Sequence, residues 1–176
     1  DYMNIDFIKS RLKEGDVLKI DTVLLKNGFN GDAARTFIVG KPKSKEDERL
    51  VEITKQAFFE GIKYAVKENR VGDISHAIGQ YVEKNGYSVV REFQGHGIGK
   101  EMHEDPGIPN YGKAGKGIRL EPGMPLAIEP MVMVGKPNIC VLDDGWTIVT
   151  EDGSLAAHYE NTILITENEP EILTLL

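Results

Sequence analysis

Val17-Leu18-Lys19-Ile20-Asp21-Thr22-Val23-Leu24-Leu25, then Lys26-Asn27-Gly28, then Phe29-Asn30-Gly31-Asp32 and on to Val39 reads as a β-hairpin. Asn-Gly supplies the positive φ angles that a tight two-residue turn needs. Asp21 and Asp32 fall six and five residues from the middle of that turn. They are therefore near neighbours across the ladder, with a bulge at Gly31 as the device that would adjust their register. Two carboxylates that close repel unless a cation lies between them. The plainer alternative is one solvated Asp on an edge and one in a turn.

Three further side chains extend the pattern. His96 follows Ser88-Val89-Val90-Arg91-Glu92-Phe93, which reads as a strand, Glu129 follows Leu126-Ala127-Ile128, and Glu160 lies between Ala156-Ala157 and Ile163-Leu164-Ile165. Each stands in a strand or at a strand end, where a bare charge is costly to bury without a cation, a proton or a salt-bridge partner. Four carboxylates and one imidazole in this order suggest a shared cation site. Around one ion, four carboxylates leave excess negative charge, so two divalent ions are the natural count. Oxygen donors with one imidazole suit Mn, Fe, Co or Zn better than soft thiolate metals. Paired ions activate water, which fits hydrolysis of an amide or a phosphate ester.

The remaining chain reads as mixed α and β. Ser44 with Asp47 three residues on is a capping box, and Leu50, Ile53, Ala57, Phe58, Ile62 and Ala65 form the stripe of the helix behind it. Asp73 caps a second helix with stripe Ile74, Ala77, Ile78, Tyr81 and Val82, ended by Asn85-Gly86. His76 lies off that stripe and reads as a surface histidine. Glycines flank His96 on both sides, which lets backbone or ligand approach its ring. His103 lies seven residues further in the same short segment. The Gly- and Pro-rich stretch from Pro106 to Gly123 reads as a surface loop. Trp146-Thr147-Ile148-Val149 is a short strand and Ala156 to Thr166 the last long one. In that last strand His158 and Glu160 are two apart and share a face, so His158 is either packed or adjacent to the site. Trp146, the only tryptophan, reads as a core residue on its type alone.

Composition bounds the class. The 176 residues form one domain, 40% hydrophobic and 28% charged. A net charge of −7 argues against nucleic acid as the main partner, leaving room for a local patch that touches a ribosome. With Cys140 as the single cysteine, no intrachain disulfide forms. No apolar run reaches the ~20 residues of a membrane span. The cytoplasm is the expected compartment.

Gly95-His96-Gly97-Ile98-Gly99, Met102-His103-Glu104, Pro122-Gly123-Met124, Ile128-Glu129-Pro130-Met131, Asp144-Gly145-Trp146-Thr147 and Tyr159-Glu160-Asn161-Thr162, in that order, resemble the bacterial type I methionine aminopeptidases. Ile20-Asp21 and Gly28-Phe29-Asn30-Gly31-Asp32 match the hairpin of that family. The short span between Glu129 and Glu160 sets the chain apart from the type II enzymes, and its flanking strings differ from those of prolidases and aminopeptidase P. The resemblance implies an α+β fold of pita-bread (creatinase/aminopeptidase) architecture, an antiparallel sheet with helices on its outer face and the first half incomplete. Residues 1–176 would be a single metallopeptidase catalytic domain lacking the N-terminal segment of the family.

It further implies that two divalent ions (Co, Mn, Fe or Zn) are held by Asp21, Asp32, His96, Glu129 and Glu160. Asp32 and Glu160 would bridge, and Asp21 would chelate one ion. Glu129 would also be the general base and His103 would steady the tetrahedral intermediate. Trp146, Met102 and His103 would contact substrate, so the resemblance moves Trp146 from core to pocket wall, and His158 would touch the site from outside the ligand set. The implied activity is removal of the initiator methionine from nascent polypeptides by a hydroxide activated between the ions, with a small second residue preferred. The implied partners are nascent peptide N-termini, with ribosome contact, no membrane and no specific nucleic acid. A partner or second copy would cover surface left open by the absent segment. The alternatives are a non-catalytic pita-bread binding module with a retained metal site and a related proline-specific exopeptidase. Aligned without gaps, Met3 would fall where the resemblance implies a further family histidine, whereas with a short insertion that position would fall just before residue 1.

Overall fold

Asn27 (φ 53°) and Gly28 (φ 80°) both adopt positive φ, the geometry that matches the right-handed twist of the flanking strands. They close a hairpin of β1 (Val17–Lys26) and β2 (Phe29–Ile38). Its register runs unbroken from Val17 opposite Ile38 to Lys26 opposite Phe29, so the bulge anticipated at Gly31 does not occur. Side chains alternate across a strand. One face therefore carries Asp21 and Asp32 with Lys19 and Thr36. The other exposes Ile20, Leu24 and Phe37, at 48, 71 and 51%. The structure, a computed structural model, describes residues 11–175; Met3 lies outside them.

Helix α1 (Lys45–Ile62) begins at the predicted capping box. The Ser44 hydroxyl accepts from the Asp47 amide at 3.3 Å and the Asp47 carboxylate accepts from the Ser44 amide at 3.0 Å. Ala65 is buried but lies past the helix end. Helix α2 (Val71–Lys84) starts two residues before Asp73. Arg70 is its N-cap, and Asp73 sits in the first turn with its carboxylate accepting from the Arg70 amide at 2.8 Å. A carboxylate in that position satisfies an orphan N–H and favours the helix dipole, which is why it looks like a cap in sequence.

The remaining strands are short: β3 (Ser88–Val89), β4 (Gln94–Gly97), β5 (Glu104–Pro109), β6 (Pro125–Ile128), β7 (Met131–Met133), β8 (Ile139–Val141), β9 (Ile148–Thr150), β10 (Ala156–His158), β11 (Asn161–Leu164) and β12 (Glu171–Ile172). All pairings are antiparallel. They form a five-stranded sheet in the order β12-β11-β6-β4-β5, a three-stranded sheet β10-β7-β3, and the hairpins β1-β2 and β8-β9.

Three expectations are corrected here. The supposed surface loop from Pro106 begins inside strand β5 (Glu104–Pro109), because Ile108 packs into the core at 1% exposure. The strand expected over Trp146–Val149 is Ile148–Thr150. The last long strand is broken at Tyr159–Glu160 into β10 and β11, which pair in different sheets. That break puts Glu160 at a junction between sheets. Leu50, Ala57 and Phe58 of α1 and Ile74, Ile78 and Val82 of α2 join Leu126, Ile128 and Ile163 of the sheet in one buried cluster. The helices thus anchor the strands whose ends carry the charged residues.

Candidate metal centre

Asp32 pairs with Val23, so Asp21 lies two residues along on the same face of the hairpin. Asp32 is buried at 5% exposure. Thr162 holds its backbone from β11: the Asp32 amide donates to Thr162 Oγ1 at 2.8 Å, and that hydroxyl donates to the Asp32 carbonyl at 3.0 Å. Burial first, then the adjacent charge of Asp21, lifts the Asp32 carboxyl to about 6, with the His96 charge opposing.

His96 is on β4, opposite Ala127 of β6, and Glu129 stands one residue past the end of β6. The two glycines beside His96 have a steric cause. A Cβ on Gly95 would lie 2.4 Å from the Ala127 carbonyl oxygen, and one on Gly97 would lie 2.2 Å from that of Asp105. Nδ1 of His96 is 2.8 Å from the Gly97 carbonyl, which only accepts, so Nδ1 carries the hydrogen. That tautomer leaves the Nε2 lone pair facing Asp32 Oδ2 at 3.9 Å and Glu129 Oε1 at 3.7 Å. An imidazole fixed through one nitrogen and free at the other is how proteins present a metal ligand.

Glu160 is 1% exposed. Its amide donates to the Ala34 carbonyl at 3.0 Å. Arg35 donates to the Glu160 carbonyl and, at 2.7 Å, to Asn161 Oδ1, with its guanidinium 4.3 Å over the Tyr159 ring. Burial, followed by the charges of Glu129, Asp32 and Asp21, pushes the Glu160 carboxyl up to about 10, with Arg35 opposing. Asp32 Oδ1, Glu160 Oε1 and His158 Nε2 are buried with no hydrogen-bond partner. Orphaned acceptors at this depth are costly unless a cation satisfies them. Asp32, His96 and Glu160 can each place a ligand atom within 4.8 Å of the others, and so can Glu129, His158 and Glu160. The donor set, the orphaned oxygens and the free Nε2 all fit divalent metal.

The other sequence-derived residues are placed as follows. His158 is 8% exposed, with Nε2 3.3 Å from Glu129 Oε2 and 4.0 Å from Glu160 Oε2. His103 is exposed, its ring edge-on to His96 at 4.5 Å between centroids, and its neighbour Met102 is 43% exposed. Trp146 stands in the turn of the β8-β9 hairpin, 81% exposed. His76 lies outside the cluster, its Nδ1 3.1 Å from the Gly112 carbonyl. An apolar cleft of about 580 Å³ opens beside His158, lined by Phe93, Met131, Met133, Ile139 and Ile148.

Sequence reasoning assigned no role to Arg35, Thr162 or Asn110, which donates from Nδ2 to the Glu129 carbonyl at 3.0 Å. Thr162 has a weak signal, two residues after Glu160. Arg35 and Asn110 have none, since their partners are distant in sequence.

Buried carboxylates gathered at strand ends, with an imidazole whose free nitrogen faces them, form a donor set that could hold divalent metal. The chain belongs to metallopeptidase family M24, whose family model matches residues 4–167. It is 58% identical over 165 residues to a methionine aminopeptidase of Clostridium perfringens, covering 94% of this chain and 66% of that relative. It is 45% identical over 164 residues to the methionine aminopeptidase of Escherichia coli K12, covering 93% and 62%. The methionine aminopeptidase structure from Thermotoga maritima superposes with a TM-score of 0.91 at 49% identity, over 93% of this chain and 66% of that one. Prolidase from Pyrococcus furiosus follows at a TM-score of 0.75 and 27% identity, over 95% and 43%. The fold is thus the α+β pita-bread architecture. The chain spans about two thirds of the length of the methionine aminopeptidases it matches. Among the described residues no helix is long and apolar enough to cross a membrane.

Proposed function

We propose that this chain carries the metal centre of a cytoplasmic methionine aminopeptidase, which removes the first methionine from nascent polypeptides. The observation that carries this reading is the Asp32–His96–Glu160 set, with buried, unpartnered oxygens on Asp32 and Glu160 and with Glu129 beside it, in a chain 58% identical to a methionine aminopeptidase. Two divalent ions bound there would lower the pKa of water and polarise the scissile carbonyl. In this reading Asp21, Asp32, His96, Glu129 and Glu160 would hold the ions.

Glu129 acts as general base and carries the proton to the leaving amine. Its oxygens are divided between His96 and His158, so one can face a ligand while the other handles the proton. His103, exposed and edge-on to His96, is placed to donate to the developing oxyanion. Met102 and the apolar cleft beside His158 support recognition of an unbranched apolar side chain. Trp146, on the hairpin whose Ile139 and Ile148 line that cleft, is proposed to close over the substrate. Bulk after the methionine would collide with such a closed site, so a small second residue is preferred.

The test is hydrolysis of Met-Ala-Ser, Met-Trp-Ser and Ala-Pro-Ser peptides by this chain with Mn²⁺ or Co²⁺. Release of methionine from Met-Ala-Ser alone supports the reading. Cleavage of Ala-Pro-Ser instead supports a proline-specific exopeptidase, and equal cleavage of both methionyl peptides defeats the small-residue preference.

A further inference from the structure

We infer that Glu129, His158 and Glu160 form an additional cation position beside the ion pair, one that takes a borderline divalent ion such as Zn²⁺ or Co²⁺ and switches the centre off when filled. The inference rests on the metal-centre reading above, shares the carboxylates of Glu129 and Glu160 with it, and adds the imidazole of His158. Glu129 presents Oε1 to His96 at 3.7 Å and Oε2 to His158 at 3.3 Å, so its second oxygen faces His158 rather than His96. His158 Nε2 is buried and hydrogen-bonds to nothing, although a carboxylate oxygen lies 3.3 Å away. Glu160 Oε1 is likewise unpartnered.

Ligand atoms that share an ion at ~2.0–2.2 Å stand roughly 3 to 4.4 Å from one another. The separations from Nε2 to Glu129 and Glu160, 3.3 and 4.0 Å, are those of atoms sharing an ion. One nitrogen and two carboxylate oxygens suit Zn²⁺ or Co²⁺ better than Mg²⁺ or Ca²⁺.

The backbone holds this imidazole in place. The His158 amide donates to Thr36 Oγ1 at 2.8 Å, and that hydroxyl donates to the His158 carbonyl at 2.8 Å. A side-chain change at His158 therefore leaves its strand anchored. Charge sets the order of filling. Two divalent ions already balance Asp21, Asp32, Glu129 and Glu160, so the additional ion binds more weakly. Once bound it occupies Oε2 of Glu129, the oxygen left to carry the proton.

The experiment is calorimetric titration of the metal-free 176-residue chain with Zn²⁺, repeated for His158→Gln and His158→Ala. The wild type should show tight binding and then a separate weaker step. Both variants should keep the tight step and lose affinity in the weaker one by about 10-fold or more, as loss of a metal-supporting group typically does. On the wild type alone, X-ray absorption of the ions added in the weaker step should show one imidazole nitrogen. Weaker binding unchanged in both variants, or oxygen-only coordination of those ions, would overturn the additional position. Absence of the tight step in the wild type would instead remove the metal-centre reading itself. Excess Zn²⁺ should inhibit methionine release by the wild type, with His158→Gln needing about 10-fold more; equal inhibition of the two contradicts capture of Glu129.

Discussion

At the scale of single residues, the site is built by separating the tasks of similar groups. Asp32 and Glu160 are carboxylates buried almost completely, whereas Asp21 two positions along the same face remains exposed. Glu129 lies between two imidazoles with one oxygen toward each. Glu129→Gln keeps the shape and an acceptor but cannot take a proton. It should lower kcat by roughly 10²–10⁴-fold, the usual worth of a general base. Metal content should change less, and metal loss as large as the activity loss would make Glu129 a ligand only. His103→Ala should lower kcat by roughly 10²-fold, at the low end for an oxyanion donor, while the ions stay bound. A normal kcat would rule out its assignment.

At the scale of elements, the absence of a side chain at Gly95 lets β4 approach β6, and its absence at Gly97 lets β4 approach β5. Gly95→Ala would drive a Cβ into the Ala127 carbonyl and push His96 away from Glu129. It should cost about 1–3 kcal/mol of stability, in the range of overpacking, and weaken metal binding together with it. Urea unfolding and metal titration of the same variant check both, and unchanged values would show that the strands can part freely. The proposed set Asp21, Asp32, His96, Glu129 and Glu160 could be picked out in sequence because each carboxylate or imidazole stands in, or at the end of, a segment that reads as strand. The hairpin was legible through Asn27-Gly28, and the first helix through Ser44 and Asp47. The break at Tyr159–Glu160 was not, because an apolar run looks the same whether its strand pairs in one sheet or two. Nor was β5, whose Gly and Pro content reads as loop until Ile108 is seen against the core. Arg35 acts through Glu160 and Asn161, more than a hundred residues away, a relation no local pattern records.

At the scale of the whole molecule, the helices and sheets hold together carboxyl groups whose charge must be offset by protons or by bound cations. Burial raises the Asp32 carboxyl from 3.8 to about 6 and the Glu160 carboxyl from 4.5 to about 10. A folded-state pKa above the unfolded value means that the metal-free fold binds more protons than the unfolded chain. Its contribution is fully favourable below the ordinary carboxylate range and is lost as pH rises, through about 6 for Asp32 and toward 10 for Glu160. Divalent ions replace those protons. The rise in Tm produced by saturating Mn²⁺ should therefore grow from pH 4 through pH 8; a constant rise over that range would contradict the linkage. The most direct test of the central claim is the metal content of the chain, made metal-free and then dialysed against micromolar Mn²⁺ or Co²⁺, for the wild type and Asp32→Asn. The account predicts two ions retained by the wild type and weakened binding of both in Asp32→Asn. A wild-type chain that retains no ion would contradict it.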